Sequence, residues 1–224
     1  MDRKKFLKKG TLGLAAIIAT PAVISACKKD KTDPNACTPS PSETAGPFPI
    51  KTPSELVNSN IIGDRTGIPL QVDILIQNTN SDCSALPNAF VDIWQCDAHG
   101  NYSEYSGQQE GDFTSQHFLR GRQTTDVNGK VSFISIYPGW YPGRAPHIHV
   151  EVKKQDGTSL LISQIAFPED ISNTVYGTTN YKGDFDTKNK KDGEFKDSIS
   201  SNMATVSGDN VSGYTLTKTI KVSA

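Results

Sequence analysis

Two of the four histidines in the chain, His147 and His149, are separated by a single residue. Side chains at positions i and i+2 of a β-strand lie on the same face, so both imidazoles can reach one point while Ile148 and Val150 face the other side. Imidazole is a common ligand of transition metals. The spacing therefore predicts a metal site, and by itself it fits a plain pair of surface histidines equally well.

A loop rich in proline and glycine comes directly before this pair. Residues 137–146 contain three prolines and two glycines, and they place Tyr141 and Arg144 just ahead of His147 in the chain. A phenol and a guanidinium group delivered to the start of the same strand favour the interpretation of the two histidines as metal ligands.

Four segments of the chain together resemble the intradiol ring-cleavage dioxygenases. Residues 138–149 have the pattern Pro-Gly-x-Tyr followed by Arg-x-x-His-x-His, and residues 86–103 are similar to the family's strand that leads to its first tyrosine ligand. Residues 43–48 resemble the family's Thr-Glu-Gly-Pro segment, and Gln164 stands in a strand like the one that carries the family's active-site glutamine. The resemblance covers about residues 43–176, with its motifs in the same order.

The resemblance implies an all-β fold, a two-sheet β-sandwich of the intradiol dioxygenase type with long active-site loops and little helix. It also implies a non-haem Fe(III) cofactor. The implied iron ligands are Tyr102, Tyr141, His147 and His149. The implied catalytic residues are Arg144, which would stabilise negative charge on the ring, Gln164, which would position substrate or oxygen, and Tyr141, which would accept a substrate proton as it leaves the metal.

The implied reaction is the cleavage of a catechol-type ring between its two hydroxylated carbons by O2, with a cis,cis-muconate-type diacid as product. The substrate stays open among catechol, protocatechuate, hydroxyquinol and plant- or lignin-derived catechols. Two alternatives stand beside this hypothesis. One is an envelope protein that binds catechols or ferric catecholates without turnover, and the other is a structural β-sandwich module in which the ligand set is accidental.

Hydrophobic periodicity supplies the strands that must position these residues. Apolar residues recur at every second position in six segments, which predicts six half-buried strands. The six segments are residues 68–76, 89–95, 130–136, 147–152, 160–167 and 214–222. Short strands separated by Gly- and Asn-containing turns are typical of a sandwich or barrel. Residues 101–125 and 168–212 are predicted to be long loops, with weak helical periodicity only in residues 194–204.

Composition excludes several classes of protein. The chain has 224 residues, 35% hydrophobic and 21% charged, and a formal net charge of -1. The first 26 residues hold five of the 23 basic residues and one of the 24 acidic ones, so the remainder has 18 basic and 23 acidic residues. This balance argues against a polybasic nucleic-acid-binding protein, a multi-pass membrane protein and a disordered chain. The composition indicates no oligomeric state.

The N-terminus has the features of an export signal. A basic start is followed by an apolar run, residues 11–26, which is shorter than the ~20 residues needed to span a bilayer. The run ends in Ile24-Ser25-Ala26-Cys27, which resembles a bacterial lipobox and implies lipidation of Cys27. The alternative is an ordinary cleavage site with an incidental cysteine. We predict a signal peptide over residues 1–26, a lipidated tether over 27–45 and a catalytic domain over 46–224.

This organisation predicts a protein held on the bacterial cell envelope, periplasmic or surface-exposed, by its lipid anchor alone. Export implies an oxidising compartment. Of the three cysteines other than Cys27, two should form a disulfide and one should stay free, but spacing does not distinguish among Cys37, Cys83 and Cys96.

The remaining polar and aromatic residues receive ordinary interpretations. His99 and His117 match no ligand position and are predicted to be solvated loop residues, and the charged residues 188–196 are predicted to form a solvated face. Trp94 and Trp140 could line a pocket, but core packing is the favoured interpretation for both.

Overall fold

The computed structural model describes residues 37–224, which form two packed β-sheets with two short helices. The nine strands are β1 (Pro69–Asn78), β2 (Ser84–Ala85), β3 (Phe90–Trp94), β4 (Arg120–Thr124), β5 (Lys130–Ile136), β6 (His147–Lys153), β7 (Ser159–Ala166), β8 (Thr205–Asp209) and β9 (Gly213–Val222). The helices are α1 (Glu169–Tyr176) and α2 (Ile199–Asn202). Within residues 37–224, no helix is long and apolar enough to cross a membrane.

The strands form a five-stranded and a four-stranded sheet. The five-stranded sheet has the order β2-β1-β9-β8, with β5 also paired to β1, and the four-stranded sheet has the order β4-β3-β6-β7. The pair β1 and β9 is parallel, and the other pairs are antiparallel. The predicted all-β, two-sheet sandwich is confirmed.

The core lies between the inner faces of the two sheets. Strand β1 contributes alternate residues that are at most 1% exposed, namely Leu70, Val72, Ile74 and Ile76. From the opposite sheet, Ile148 and Val150 of β6 pack into the same cluster. Burial of each such side chain contributes about 1.5–3 kcal/mol, so this core is what holds the four-stranded sheet in place.

The outer face of the four-stranded sheet is also buried, and it carries polar and aromatic side chains. The register aligns Arg120, Trp94, His149 and Gln164 in one row across β4, β3, β6 and β7. Each member of this row is at most 2% exposed. Because these four side chains lie on the outer face of the sheet and are still buried, other chain segments must cover them. The long loops form this cover.

All six predicted strands are present, as β1, β3, β5, β6, β7 and β9. The structure adds β2, β4 and β8, and it places α1, α2 and β8 inside the predicted loop of residues 168–212. Strand β4 has no hydrophobic alternation because its Arg122 side chain lies on the buried outer face, where it forms an ion pair with Asp92. That pairing is tertiary and leaves no periodic signal.

The segment before residue 46 is part of the fold from Cys37 onward. The backbone N–H of Ser40 donates to the Lys221 carbonyl, and that of Glu43 donates to the Ile162 carbonyl. Residues 37–45, which the sequence assigns to the tether, therefore lie against both sheets. Cys27 and the proposed signal peptide lie outside the described residues.

One disulfide joins Cys37 to Cys83, and Cys96 is a buried free thiol. The prediction of one disulfide and one free thiol among these three cysteines is confirmed, and the structure identifies the pair. The bond closes a loop with a sequence separation of 46 residues. It joins Cys37, at the start of the described residues, to the connection between β1 and β2.

Replacing both Cys37 and Cys83 with serine should lower the free energy of unfolding by about 3–4 kcal/mol, since a loop of this length is then no longer closed in the unfolded chain. Urea denaturation in oxidising buffer measures the change. Adding a reductant should bring the wild-type protein to the same midpoint and should not move that of the variant. Equal midpoints for wild type and variant in oxidising buffer would contradict this expectation.

Candidate metal centre

The structure brings the two histidines and the two predicted tyrosines together above the outer face of the four-stranded sheet. His147 and His149 project from this face of β6, as their spacing predicts, with their Nε2 atoms 3.1 Å apart. The Tyr141 hydroxyl lies 3.2 Å from His147 Nε2. The Tyr102 ring completes the group, with its centroid 5.8 Å from that of Tyr141 and 6.3 Å from that of His149.

Two loops that touch each other deliver the tyrosines. Tyr102 follows β3, and Tyr141 comes from the Pro/Gly-rich loop before β6. Gly139 donates its N–H to the Asp97 carbonyl, and a Cβ at Gly139 would lie 2.3 Å from that oxygen. Glycine at this position lets the two loops approach closely enough to bring the phenols together.

Both imidazoles are neutral, and a hydrogen bond orients that of His147 for metal binding. His147 Nδ1 donates to the Ala145 carbonyl at 2.7 Å, which leaves its Nε2 lone pair directed at the other donors. Burial, followed by the positive charge of Arg144, lowers the pKa of His147 to about 3. Burial and the neighbouring His147 hold the pKa of His149 well below its usual range.

The phenols are protonated in the absence of a cation. Burial raises the pKa of Tyr102 well above its usual range and raises the pKa of Tyr141 to about 12. Ligation by both phenolates at neutral pH therefore requires a strongly Lewis-acidic ion. The described residues contain no group of three or more His, Cys, Asp or Glu side chains that could hold a metal, so the donors here are two phenols and two imidazoles.

Tyr102 leaves its hydroxyl unsatisfied. The Tyr102 side chain is 1% exposed, and its oxygen makes no hydrogen bond of acceptable geometry, although the Tyr141 phenol lies beside it. Burial of an unpaired hydroxyl costs about 1–3 kcal/mol. A metal ion bound by the four donors would remove this cost, so the residues present fit a cation with oxygen and nitrogen ligands.

Arg144 and Gln164 lie beside the four donors. Arg144 Nη1 donates to the Tyr141 hydroxyl at 3.4 Å, and Nη2 donates to Gln164 Oε1. Gln164 Nε2 in turn donates to the Thr44 carbonyl at 2.9 Å. Each Nη nitrogen of Arg144 keeps one N–H without a partner in the described part of the chain. A partly buried cation with free donors is suited to binding a negatively charged oxygen.

Comparison with known proteins identifies the family of this chain. The dioxygenase family model (Dioxygenase_C) matches residues 46–175. Among solved structures, an intradiol ring-cleavage dioxygenase from Tetranychus urticae is similar, with a TM-score of 0.74, 31% sequence identity and coverage of 84% of this chain and 95% of that chain. The chain belongs to the intradiol ring-cleavage dioxygenases. This membership places it in a family of oxidoreductases.

Other relatives of this dioxygenase are less completely matched. The protocatechuate 3,4-dioxygenase beta chain of Burkholderia cepacia is 31% identical over 115 residues, which is 47% of this chain and 49% of that protein. The match thus spans about half the length of this curated relative. The 3-chlorocatechol 1,2-dioxygenase of Rhodococcus opacus 1CP has a TM-score of 0.58 at 18% identity, a likeness in fold.

Three residues around the centre of this dioxygenase were not predicted to act there. The Trp94 ring stacks on His149, with centroids 5.0 Å apart and planes 2° apart, so its packing is on the outer face and not between the sheets. Gly46 lies against the edge of the same imidazole. Asp192 is 0% exposed and binds Arg144, so the prediction of a solvated face over residues 188–196 is wrong at this position.

The two other histidines are loop residues, as predicted. The His99 and His117 side chains are each 50% exposed, and each contacts a glutamate, Glu110 and Glu104 respectively. Neither belongs to the group of four donors. The local sequence does not show that Asp192 and Trp94 lie at the site, because their positions depend on which segment folds over the sheet.

Replacing Gly46 with alanine should lower the retention of a metal at this site. Gly46 has a φ of +67°, and a Cβ there would lie 2.9 Å from His149 Cε1 and 3.2 Å from His149 Nε2. The matched control is Gly107→Ala, because Gly107 has a φ of +69° with nothing within 4 Å of its Cβ position. Both variants should lose about 1 kcal/mol of stability from backbone strain. Metal analysis should show a reduced metal content only in Gly46→Ala, and equal metal content in both variants would contradict the steric argument.

Proposed function

We propose that this protein is a non-haem Fe(III) dioxygenase that cleaves a catechol-type ring between its two hydroxylated carbons with O2 and forms a cis,cis-muconate-type diacid. The observation that carries the proposal is the convergence of one buried phenol, one partly buried phenol and two neutral imidazoles beside Arg144, which keeps free N–H donors. The names of the relatives, which include protocatechuate and 3-chlorocatechol dioxygenases, support a catechol-type substrate.

Tyr102, Tyr141, His147 and His149 would hold the ferric ion. Two phenolates provide anionic oxygen ligands that suit a hard trivalent cation, and the two imidazoles complete the set. When bound, Fe(III) would supply Lewis acidity, which draws electron density from a catecholate and makes its ring carbons susceptible to attack by O2. The stacking of Trp94 on His149 and the His147–Ala145 hydrogen bond keep both imidazoles in orientation.

The two tyrosines have different roles because their exposure differs. Tyr102 is enclosed by an apolar cluster that includes Ile50 and Trp94, so its oxygen has no route to solvent. Tyr141 is only partly buried, and its oxygen contacts both His147 and Arg144. The Tyr141 oxygen is therefore the atom that can accept a proton from a catechol hydroxyl when the substrate binds.

Arg144 would stabilise negative charge that develops on the substrate. Each of its Nη nitrogens uses one N–H to hold Tyr141 or Gln164 and keeps the other free of protein partners in the described residues. Fixed donors of this kind contribute about 10²–10³ in rate. Both polar ends of Gln164 are engaged, one with Arg144 and one with Thr44, so in this arrangement Gln164 acts on the substrate by orienting Arg144.

A visible spectrum followed by oxygen addition tests the proposal. Iron-supplied protein should show a tyrosinate-to-Fe(III) band that moves to longer wavelength with catechol under anaerobic conditions. Admission of ¹⁸O₂ should then consume the substrate and place two labelled oxygens in the ring-opened product. A colour that persists under oxygen would favour a catechol-binding protein without turnover. A folded protein without iron or colour would contradict the ligand set.

For cellular location we propose lipid anchoring at Cys27 on the bacterial envelope, on the strength of the lipobox-like residues 24–27. Cells that express the full chain and are fed a labelled fatty acid should yield labelled protein in the membrane fraction. The Cys27→Ser variant should be unlabelled. Label retained in that variant would contradict the assignment of Cys27.

A further inference from the structure

We propose that Asp192 is a positioning residue that holds Arg144 in its working orientation, a proposal that rests on the dioxygenase function above. Asp192 lies at the end of the short 3-10 turn Asn189–Lys191 and is 0% exposed. Both of its carboxylate oxygens accept hydrogen bonds from Arg144 Nε, at 2.9 and 3.1 Å. This buried carboxylate is therefore directed at the side chain of a proposed catalytic residue.

The grip on Nε determines where the rest of the guanidinium points. A guanidinium is planar, so fixing Nε fixes the plane in which both Nη nitrogens lie. In this position Nη1 donates to the Tyr141 hydroxyl and Nη2 donates to Gln164 Oε1. Without Asp192 the long side chain would regain rotamer freedom and its free donors would leave the site.

Asp192 also holds the backbone that leads to the histidines. One of its oxygens accepts the Ala145 N–H at 2.7 Å. The Ala145 carbonyl is the acceptor for His147 Nδ1. The same carboxylate thus fixes both the side chain of Arg144 and the loop between Arg144 and His147.

The segment that carries Asp192 contacts the site at other points as well. The Phe195 ring lies 5.6 Å from Arg144 Cζ and 6.4 Å from the His147 ring. Asn202 donates to the Gln164 carbonyl at 2.8 Å. This segment lies beyond the region matched by the family model, which ends at residue 175. The family match therefore assigns it no role.

The chemistry around Asp192 requires a carboxylate. The groups that face it are N–H donors, from Arg144 Nε, the Ala145 backbone and the Glu194 backbone. An asparagine has the same shape, but its NH₂ group would face one of these donors. Asp192→Asn is therefore a nearly isosteric change that breaks the grip.

The test compares Asp192→Asn with Asp197→Asn in the iron-loaded full chain. Asp197 is an exposed acid in the same segment, so its replacement makes the same change in charge. We expect kcat with catechol to fall roughly 100-fold in Asp192→Asn, since misplacement of a catalytic group by about 1 Å has such an effect. Iron content and the tyrosinate band should be retained, because the amide oxygen of the asparagine can still accept the Ala145 N–H. Asp197→Asn should match the wild type in all three measurements.

A double-mutant cycle separates positioning from general damage. If Asp192 acts through Arg144, Asp192→Asn should change kcat less than about threefold in an Arg144→Met background. Losses that multiply in the double variant, or wild-type kcat in Asp192→Asn, would overturn the proposal. If Asp192→Asn does not fold, Asp192→Glu replaces it, because this variant keeps the charge and moves the carboxylate by one methylene. Wild-type kcat in that variant would overturn the proposal equally.

A chemical readout that needs neither iron nor turnover keeps this proposal distinct from the proposed function. An arginine-directed dicarbonyl should label Arg144 at least tenfold faster in Asp192→Asn than in the wild type, as followed by mass spectrometry. Arg120 and Arg122, which are 2% and 8% exposed, provide internal controls whose labelling should not change. Unchanged labelling of Arg144 would overturn the positioning role. If Arg144 is labelled faster in Asp192→Asn but the wild-type protein never turns over catechol, only the dioxygenase function is contradicted.

Discussion

Replacing Tyr102 with phenylalanine should greatly reduce iron binding while leaving the iron-free protein as stable as the wild type or more stable. Loss of a residue that only hydrogen-bonds to a metal ligand lowers metal affinity by about 10–100-fold. Loss of Tyr102, which is a proposed anionic ligand, should lower the affinity by more than this. The fold should not suffer, because the Tyr102 hydroxyl is buried without a hydrogen bond and its removal ends a cost of about 1–3 kcal/mol. Metal analysis, visible absorption and urea denaturation of the iron-free protein measure these effects.

Tyr105→Phe is the matched control, and it should show the opposite pattern. The Tyr105 hydroxyl donates to the Pro49 carbonyl at 2.7 Å, and Tyr105 is not one of the four donors. This variant should keep its iron and lose about 1 kcal/mol of stability. A Tyr102→Phe protein that keeps both its iron and its visible band would remove Tyr102 from the ligand set.

Replacing Arg144 with methionine should lower kcat/KM for catechol by about 10²–10³, the effect of losing one fixed donor at a site of developing charge. The iron band should stay, because Arg144 contacts the Tyr141 oxygen only at 3.4 Å and is not a ligand. Steady-state oxygen consumption gives the rate, and the spectrum reports the metal centre.

Arg65→Met makes the same change in charge away from the site. Arg65 pairs with Asp64 and Asp97 and packs over the Phe118 ring at 4.4 Å. This variant should retain wild-type kcat/KM. If Arg144→Met were as active as Arg65→Met, stabilisation of charge by Arg144 would be excluded and another group would have to supply it.

The strands and the histidine pair could be predicted because their signals are local. Alternation in β1 and β6 records which side chains face the core, and the same alternation places His147 and His149 together on the other face. The family resemblance then pointed to Tyr102, Tyr141, Arg144 and Gln164, and the structure brings all four of these residues to that pair.

Other parts of the site left no local signal. Strand β4 has a polar sequence, and Arg120 and Arg122 are buried in it only because acidic and carbonyl groups from other segments surround them. Asp192 stands among lysines in a stretch that resembles a solvated surface. A charged side chain can be buried when a group of opposite charge pairs with it in the folded protein. The local sequence does not show which groups form such pairs.

The two-sheet fold class, the family and the shared face of His147 and His149 can all be predicted without a structure, because each of them is expressed in short-range periodicity or motif order. The pairing of Cys37 with Cys83, the position of Gly46 against His149 and the contact between Asp192 and Arg144 became visible only in the folded chain. Each of these contacts joins segments far apart in the chain. The packing of loops over the outer face of one sheet creates them, and no periodicity within a single segment carries that information.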